Sequence, residues 1–215
     1  VPVAPVYEPE LRLLSRFGTG YTPTLIVGYG GLWGENYWYQ HTDVWKHERL
    51  ARFTPRSVLD PRSIRRMMAP DEEYHQFALS KVAADILHRG GNVELGAHGQ
   101  LNGLGVHWEL WMFHQGGMTN HEALRCATWM GARAIGLDGE LGSIQAGKLA
   151  DVIVIDGNPL EDIRQSENVR FTMINGRLYD AKTLMQLEPT NQPLPEGPNL
   201  DGILGTDINT SCVNE

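Results

Sequence analysis

Between residues 21 and 115 the chain passes twice from an apolar, β-rich run into a helix, and that alternation limits the folds open to it. Residues 21–27 (YTPTLIV) are β-branched and apolar, as in a buried strand, with Pro23 weakening the first half. Residues 92–97 (NVELGA) form the second short strand. Between them, residues 71–88 read as a helix. Pro70 suits its first turn, and Asp71, Glu72 and Glu73 favour its positive end. Tyr74, Ala78, Val82 and Ile86 recur every four residues, and Gly90 and Gly91 stop it. Leu104–Gln115 is a Trp-rich helix ended by Gly116 and Gly117, and Thr119 with Glu122 predicts a capping box on the next. This order implies a parallel sheet with crossover helices. Two strands are too few to close a barrel, so the expected class is α/β, an incomplete barrel.

The flanks read differently. Residues 1–18 are punctuated by proline and then briefly helical. Residues 28–70 read as one long irregular excursion, opening on Gly28, Gly30, Gly31 and Gly34. It carries Tyr29, Trp33, Tyr37, Trp38, Tyr39 and Trp45, then Arg52, Arg56, Arg62, Arg65 and Arg66. A loop that long is functional or docked on something. From Leu141 the period changes. Residues 151–156 (DVIVID) and 169–174 (VRFTMI) are strands, and Asn175–Gly176 is a hairpin turn into residues 177–179. After Asp180 the chain is rich in Pro, Asn and Gly. The expected domains are 1–138 (barrel part), 139–181 (small β module) and 182–215 (extended or disordered tail).

Composition narrows the partners. A net charge of −8 over 215 residues repels phosphate backbones, which argues against nucleic acid. No run approaches the ~18 apolar residues of a membrane helix. Cys126 and Cys212 form neither a disulfide framework nor a CxxC pair, and Cys126, among Ala and Leu, reads as inert core. The chain opens on Val1 with no secretory leader, and is expected to be a piece of a longer polypeptide.

The residues that could carry chemistry concentrate in 93–119. His98 follows the second strand and precedes Gly99, which puts it at the carboxyl edge of a parallel sheet, where ligands bind. Gln100 and Asn102 add neutral donors and acceptors. His107 opens the next helix, whose start favours a neutral imidazole. The plainer alternatives are a hydrogen-bonded structural His98 and a His107 that only caps its helix. His114 and His121 read as surface, His75 and His88 as exposed on their helix. His41 and His47 lie in the aromatic excursion, where they could line a pocket. There is no HxH, HExxH or GxSxG, and no P-loop lysine. Asn209–Thr210–Ser211 is a bare sequon and weighs little. Tyr29 and Trp33 could stack on a substrate, or the excursion could be a satellite cluster packed on its own domain.

Two windows resemble a known family. In residues 107–137, Glu109–Leu110, Gly117–Met118–Thr119, Glu122–Ala123–Leu124, Ala127–Thr128 and Ile135–Gly136–Leu137 are similar to the last barrel helix, and the helix after it, of metal-dependent amidohydrolases. In residues 142–163, Gly147–Lys148–Leu149–Ala150–Asp151 resembles that superfamily's return into a small β-sandwich, and Asn175–Gly176 matches its following hairpin. The resemblance runs over about residues 21–179. It is nearest the imidazolonepropionase-like branch, including propeller-linked members.

The resemblance implies the C-terminal part of a TIM-like (β/α)8 barrel plus part of a small β-sandwich, with residues 21–27 as strand seven and 92–97 as strand eight. It implies a hydrolase of C–N bonds in small or peptide-like amides, with a divalent metal, usually zinc, activating water. Most ligands would lie outside this chain. The partners implied are the substrate, the rest of the polypeptide and a β-propeller domain, with an extracytoplasmic location in some relatives. The family's L-G-T-D reads Leu95–Gly96–Ala97–His98 here, so His98 stands where the aspartate ligand and proton acceptor belongs. An imidazole can do both jobs, with one less negative charge. His107, Gln100, Tyr29 and Trp33 are the expected substrate contacts. The competing function is a non-catalytic interaction module that uses the aromatic stretch 29–45.

Overall fold

The computed structural model describes residues 6–28, 32–64 and 68–190. Helix α1 (Glu8–Arg16) buries Leu11, and its Glu8 pairs with Arg89 at 2.8 Å. Strand β1 is only Gly20–Tyr21. It pairs in parallel with β2 (Asn92–Val93), in the register Gly20↔Asn92 and Tyr21↔Val93. The run expected as strand 21–27 therefore ends early and becomes a 3-10 turn, Leu25–Val27. Pro23 has no N–H for a ladder, and the N–H groups of Leu25 and Ile26 are held by Glu109 instead. The 92–97 run shortens too: Leu95 N–H bonds to the Cys126 carbonyl rather than to a strand.

The stretch expected to be irregular is helical. It holds α2 (Gly34–His41), a 3-10 turn (Val44–Lys46), α3 (Glu48–Phe53) and α4 (Arg56–Arg62). Its aromatic residues explain this, because Tyr37, Trp38 and Tyr39 are all buried. Trp38 stacks on Trp108 at 6.0 Å and meets Trp111 edge-on at 5.3 Å, while Tyr37 packs on Tyr74 and Phe77. Burying one such ring is worth several kcal/mol, more than the weak helix propensity of aromatic residues costs. Tyr37, Trp38 and Tyr39 thus follow the reading of a cluster packed on its own domain, which removes Trp38 from an interaction surface, while Trp33 and Trp45 remain exposed. Tyr29 lies outside the described residues.

Helix α5 (Gln76–His88) starts later than the pattern predicts. Asp71–Glu73 is a separate 3-10 turn, and Tyr74 bridges Leu32 in parallel while its hydroxyl donates to Gln40 Oε1 at 2.8 Å. Helix α6 (Leu104–Gln115) packs along α5 and buries Trp108, Glu109, Leu110, Trp111, Met112 and Phe113. Helix α7 (Asn120–Arg125) carries the expected capping box: Glu122 N–H donates to Thr119 Oγ1 at 3.2 Å, and Thr119 N–H to Glu122 Oε2 at 2.8 Å. It runs through one π-helical turn, Cys126–Met130, into α8 (Gly131–Ala134).

The module that follows is a four-stranded antiparallel sheet in sequence order: β3 (Val152–Ile155), β4 (Val169–Ile174), β5 (Arg177–Asp180) and β6 (Gln186–Glu188). Asn175 and Gly176 take positive φ of 48° and 77°, as the two-residue hairpin requires. Strand β6 lies inside the stretch expected as tail. Residues 191–215, with the sequon and Cys212, are outside the described residues. The sheet is fastened to the helices by α6 and α3. Trp111 Nε1 donates to the Ile163 carbonyl (2.9 Å) and Ser166 Oγ (3.0 Å). Arg164 lies over Trp38 and Trp111 at 4.9 and 4.6 Å, and Arg49 donates to the carbonyls of Val169 and Glu167.

Candidate functional site

Both strands point their carboxyl ends the same way, and the loop 95–103 crosses that edge. Gly96 lets the two strand exits touch: a Cβ there would lie 2.7 Å from Thr22 Cγ2 and 3.0 Å from the Pro23 carbonyl. His98 follows in the left-handed region at φ 53°, uncommon for a side-chain-bearing residue, and Gly99 continues at φ 70°. The imidazole of His98 is exposed and makes no hydrogen bond among the described residues. Gln100 lies at the rim of a cavity of about 210 Å³ lined also by Glu35, Asn36, Tyr39, Arg62 and Ile64. Its side-chain amide donates to Glu35 Oε2 at 3.3 Å, and its carbonyl accepts from Arg62 Nε at 3.2 Å. Trp33 opens the helix that supplies Glu35 and Asn36 and is itself 40% exposed.

His107 goes elsewhere. It lines a different cavity, about 400 Å³, between α3, the start of α6 and the sheet module, together with His47, Arg49, Leu50, Phe53 and Glu167. Its Nδ1 lies 3.1 Å from Ser166 Oγ, which already accepts from Trp111. Ser166 Oγ has two lone pairs and one proton, so it can serve either tautomer of the neutral ring. Burial pushes His107 down to about 4, so it is neutral, as expected of this helix start. The structure thus brings Gln100 together with Glu35 and Arg62 and separates His107 from them.

The other histidines are local. His41 Nδ1 lies 2.7 Å from the Tyr37 carbonyl, and His47 Nδ1 caps α3 by accepting from Leu50 N–H. His88 lies 3.4 Å from Glu122, His114 and His121 are exposed, and His75 is half-buried rather than exposed. Cys126 is core, as expected. Its sulfur sits 3.9 Å from those of Met118 and Met130, and burial pushes its thiol up to about 12.

Two buried acids matter more than the sequence reading suggested. Glu109 is fully buried in α6 and accepts from Leu25 N–H (2.7 Å) and Ile26 N–H (3.2 Å). Burial raises its carboxyl to about 8 against the pull of those two bonds. Glu94, in the β2 exit, accepts from Thr22 Oγ1 at 3.1 Å, and a Cβ at Gly20 would lie 2.9 Å from its Oε1. The available signal was a lone acid within an apolar run, as in Trp108–Glu109–Leu110. No group of three His, Cys, Asp or Glu side chains able to hold a metal occurs among the described residues. His98 offers one ligand, so the residues present do not fit a metal by themselves.

Comparison with known proteins reads the same edge and helices. Residues 83–179, from within α5 through the loop 95–103 and α6 to β5, match the model of the amidohydrolase family. Over those residues the chain is similar to that family. Amidohydrolase relatives include a 5-methylthioadenosine/S-adenosylhomocysteine deaminase of Syntrophobacter fumaroxidans. It is 34% identical over 116 residues, 43% of this chain and 26% of the relative. A deaminase of the same name from Moorella thermoacetica is 56% identical over 74 residues, 29% of this chain and 17% of its own. The chain spans about a quarter or less of the length of these relatives. Among solved amidohydrolase-like structures, a Xaa-Pro dipeptidase with bound methionine superposes with a TM-score of 0.55 at 24% identity, covering 81% of this chain and 37% of that one. A molinate hydrolase gives 0.53 at 22%, covering 92% and 40%. These likenesses show the fold: α/β, the C-terminal part of a TIM-like barrel with part of a small sheet module, incomplete as a barrel.

Proposed function

We propose that this chain forms the closing edge of a metal-dependent hydrolase that breaks C–N bonds in small or peptide-like amides. The observation that carries the reading is the family match over 83–179, which contains the His98 loop at the carboxyl edge of the paired strands. Deamination and Xaa-Pro cleavage, the reactions in the names of the proteins reported above, both break a C–N bond. The amidohydrolase family generally works with a divalent metal, and here its ligands, zinc being the usual ion, would come largely from outside the described residues.

In this reading His98 is the proton acceptor at the edge, and one ligand at most. Its exposure and left-handed backbone hold the ring off the loop, free of any hydrogen bond within the described chain. Gln100, oriented by Glu35 and backed by Arg62, faces the substrate with a neutral amide. Trp33, which directly precedes α2, is a stacking contact in this reading, and Tyr29 is kept as a second from the sequence alone. His107 belongs to the joint between α6 and the sheet module and leaves the list of substrate contacts. The rest of the polypeptide, with a β-propeller among its domains, supplies the remaining barrel.

The test uses the natural polypeptide. Its metal content is measured, and it is offered 5-methylthioadenosine, S-adenosylhomocysteine and a set of Xaa-Pro dipeptides, with release of ammonia or proline followed. Turnover of one class that a chelator abolishes is the expected result. His98→Ala should cut kcat by a factor on the order of 10² or more with no loss of thermal stability. A protein with no bound divalent ion and no turnover on either class sinks the proposal.

A further inference from the structure

The 3-10 turn Leu25–Val27 sits where the β1 chain leaves the sheet. Its N-cap residue, Thr24, makes no side-chain capping bond, although threonine is a residue that ordinarily does so. The two N–H groups at the start of this turn are instead taken by Glu109, 84 and 83 residues away in sequence. The turn is gripped on its other sides as well. The Leu25 carbonyl accepts from Gly28 N–H at 3.2 Å, and a Cβ at Gly34 of α2 would lie 2.7 Å from it. A Cβ at Gly28 would lie 2.7 Å from Leu79 Cδ1 of α5, and one at Gly105 of α6 would touch Ile26 Cδ1 at 3.8 Å. Helix α6 also opens directly after the His98 loop, so one buried carboxyl links the exits of both strands. Thr24 meanwhile lies beside that loop: a Cβ at Gly96 would be 3.7 Å from its Oγ1, which has no hydrogen bond among the described residues.

We infer that Glu109 is a positioning residue that caps the Leu25–Val27 turn in place of Thr24, fixes the β1 exit against the His98 loop, and leaves the Thr24 hydroxyl free to hydrogen-bond a ligand at that edge. The ligand's complementary group is a carbonyl oxygen or an amide N–H, either of which one hydroxyl can serve. The inference rests on the reading of residues 95–103 as the edge of the catalytic site. A simple structural carboxyl would account for the two N–H bonds but not for the unused hydroxyl beside Gly96.

The experiment compares Glu109→Leu, Glu109→Gln, Thr24→Val and Thr24→Ser in the natural polypeptide, reading amide hydrogen exchange at Leu25 and Ile26 beside turnover. Glu109→Leu should speed exchange at those two amides about tenfold or more, the size of a lost cap, with the amides of α6 unchanged. Glu109→Gln should fall between, because the amide NH2 that replaces one carboxyl oxygen cannot accept from an N–H group while the remaining oxygen can. Thr24→Val should leave both amides protected and raise KM with little change in kcat, and Thr24→Ser should restore KM. Unchanged protection in Glu109→Leu overturns the capping role. Loosened amides in Thr24→Val, or wild-type kinetics there, overturns the freed hydroxyl. If no substrate is turned over at all, the exchange measurement still decides the capping role, and the Thr24 assignment falls together with the proposed function.

Discussion

At the scale of the residue, two buried groups titrate in opposite directions, and the signs can be worked out. Glu109 holds its proton to about pH 8 when folded but, in the unfolded chain, only to its ordinary value of 4.5. Between those values the native state carries the extra proton, so stability falls as pH rises through the window. His107 loses its proton down to about 4 when folded, against 6.5 when unfolded. In that window the unfolded state carries the extra proton, so this contribution is present above 6.5 and is lost as pH falls toward 4. From about 4.5 to 6.5 the two effects oppose each other, which leaves an alkaline limb from Glu109 and an acid limb from His107. Each limb approaches about 1.4 kcal/mol per pH unit at most. Thermal melts across pH 4–9 should show Glu109→Gln flattening the limb above 6.5 and His107→Gln flattening the one below 4.5. A Glu109→Gln protein that retains the alkaline decline would mean the carboxyl is ionised in the fold. A strand exit near His98 was legible, although β2 stops at Val93 and His98 lies in the loop beyond it. The left-handed backbone of His98 was not, because nothing local in sequence forces φ positive on a histidine.

At the scale of the element, α6 organises the molecule. One face reaches the Leu25–Val27 turn through Glu109, and another reaches the sheet module through Trp111 and His107. Trp111→Phe keeps the ring but removes its donation to Ile163 and Ser166. It should cost about 1–3 kcal/mol, since two buried acceptors lose their partner, and limited proteolysis should then cut first between α6 and β4. An unaltered melting temperature would show that the joint is held by apolar packing alone. Capping and turn chemistry made several elements readable in advance: the Thr119–Glu122 box, the Asn175–Gly176 hairpin and the glycine-bounded α6. Residues 28–70 were not readable. Their helices are shorter than most that stand on periodicity, and what makes them helical is the fit of Tyr37, Trp38 and Tyr39 against α5 and α6, distant in sequence.

At the scale of the whole molecule, the barrel part has one parallel pair of two-residue strands among the described residues, and large apolar residues such as Phe17, Ile135 and Ile144 are exposed. The 215-residue chain by itself should therefore melt broadly and bind a hydrophobic dye before its transition. A sharp two-state melt without dye binding would count against it. The sequence by itself determined the α/β alternation, the resemblance to amidohydrolases, the Thr119–Glu122 cap and the Asn175–Gly176 hairpin, because periodicity, turn residues and motif order are local and survive without partners. Only the tertiary structure decided that β1 stops after two residues, that the aromatic excursion is core, that His107 serves the module joint, and that Glu109 caps a turn 84 residues away. Those outcomes depend on which surfaces meet and which buried N–H groups find an acceptor, and no stretch of sequence contains both halves of such a contact.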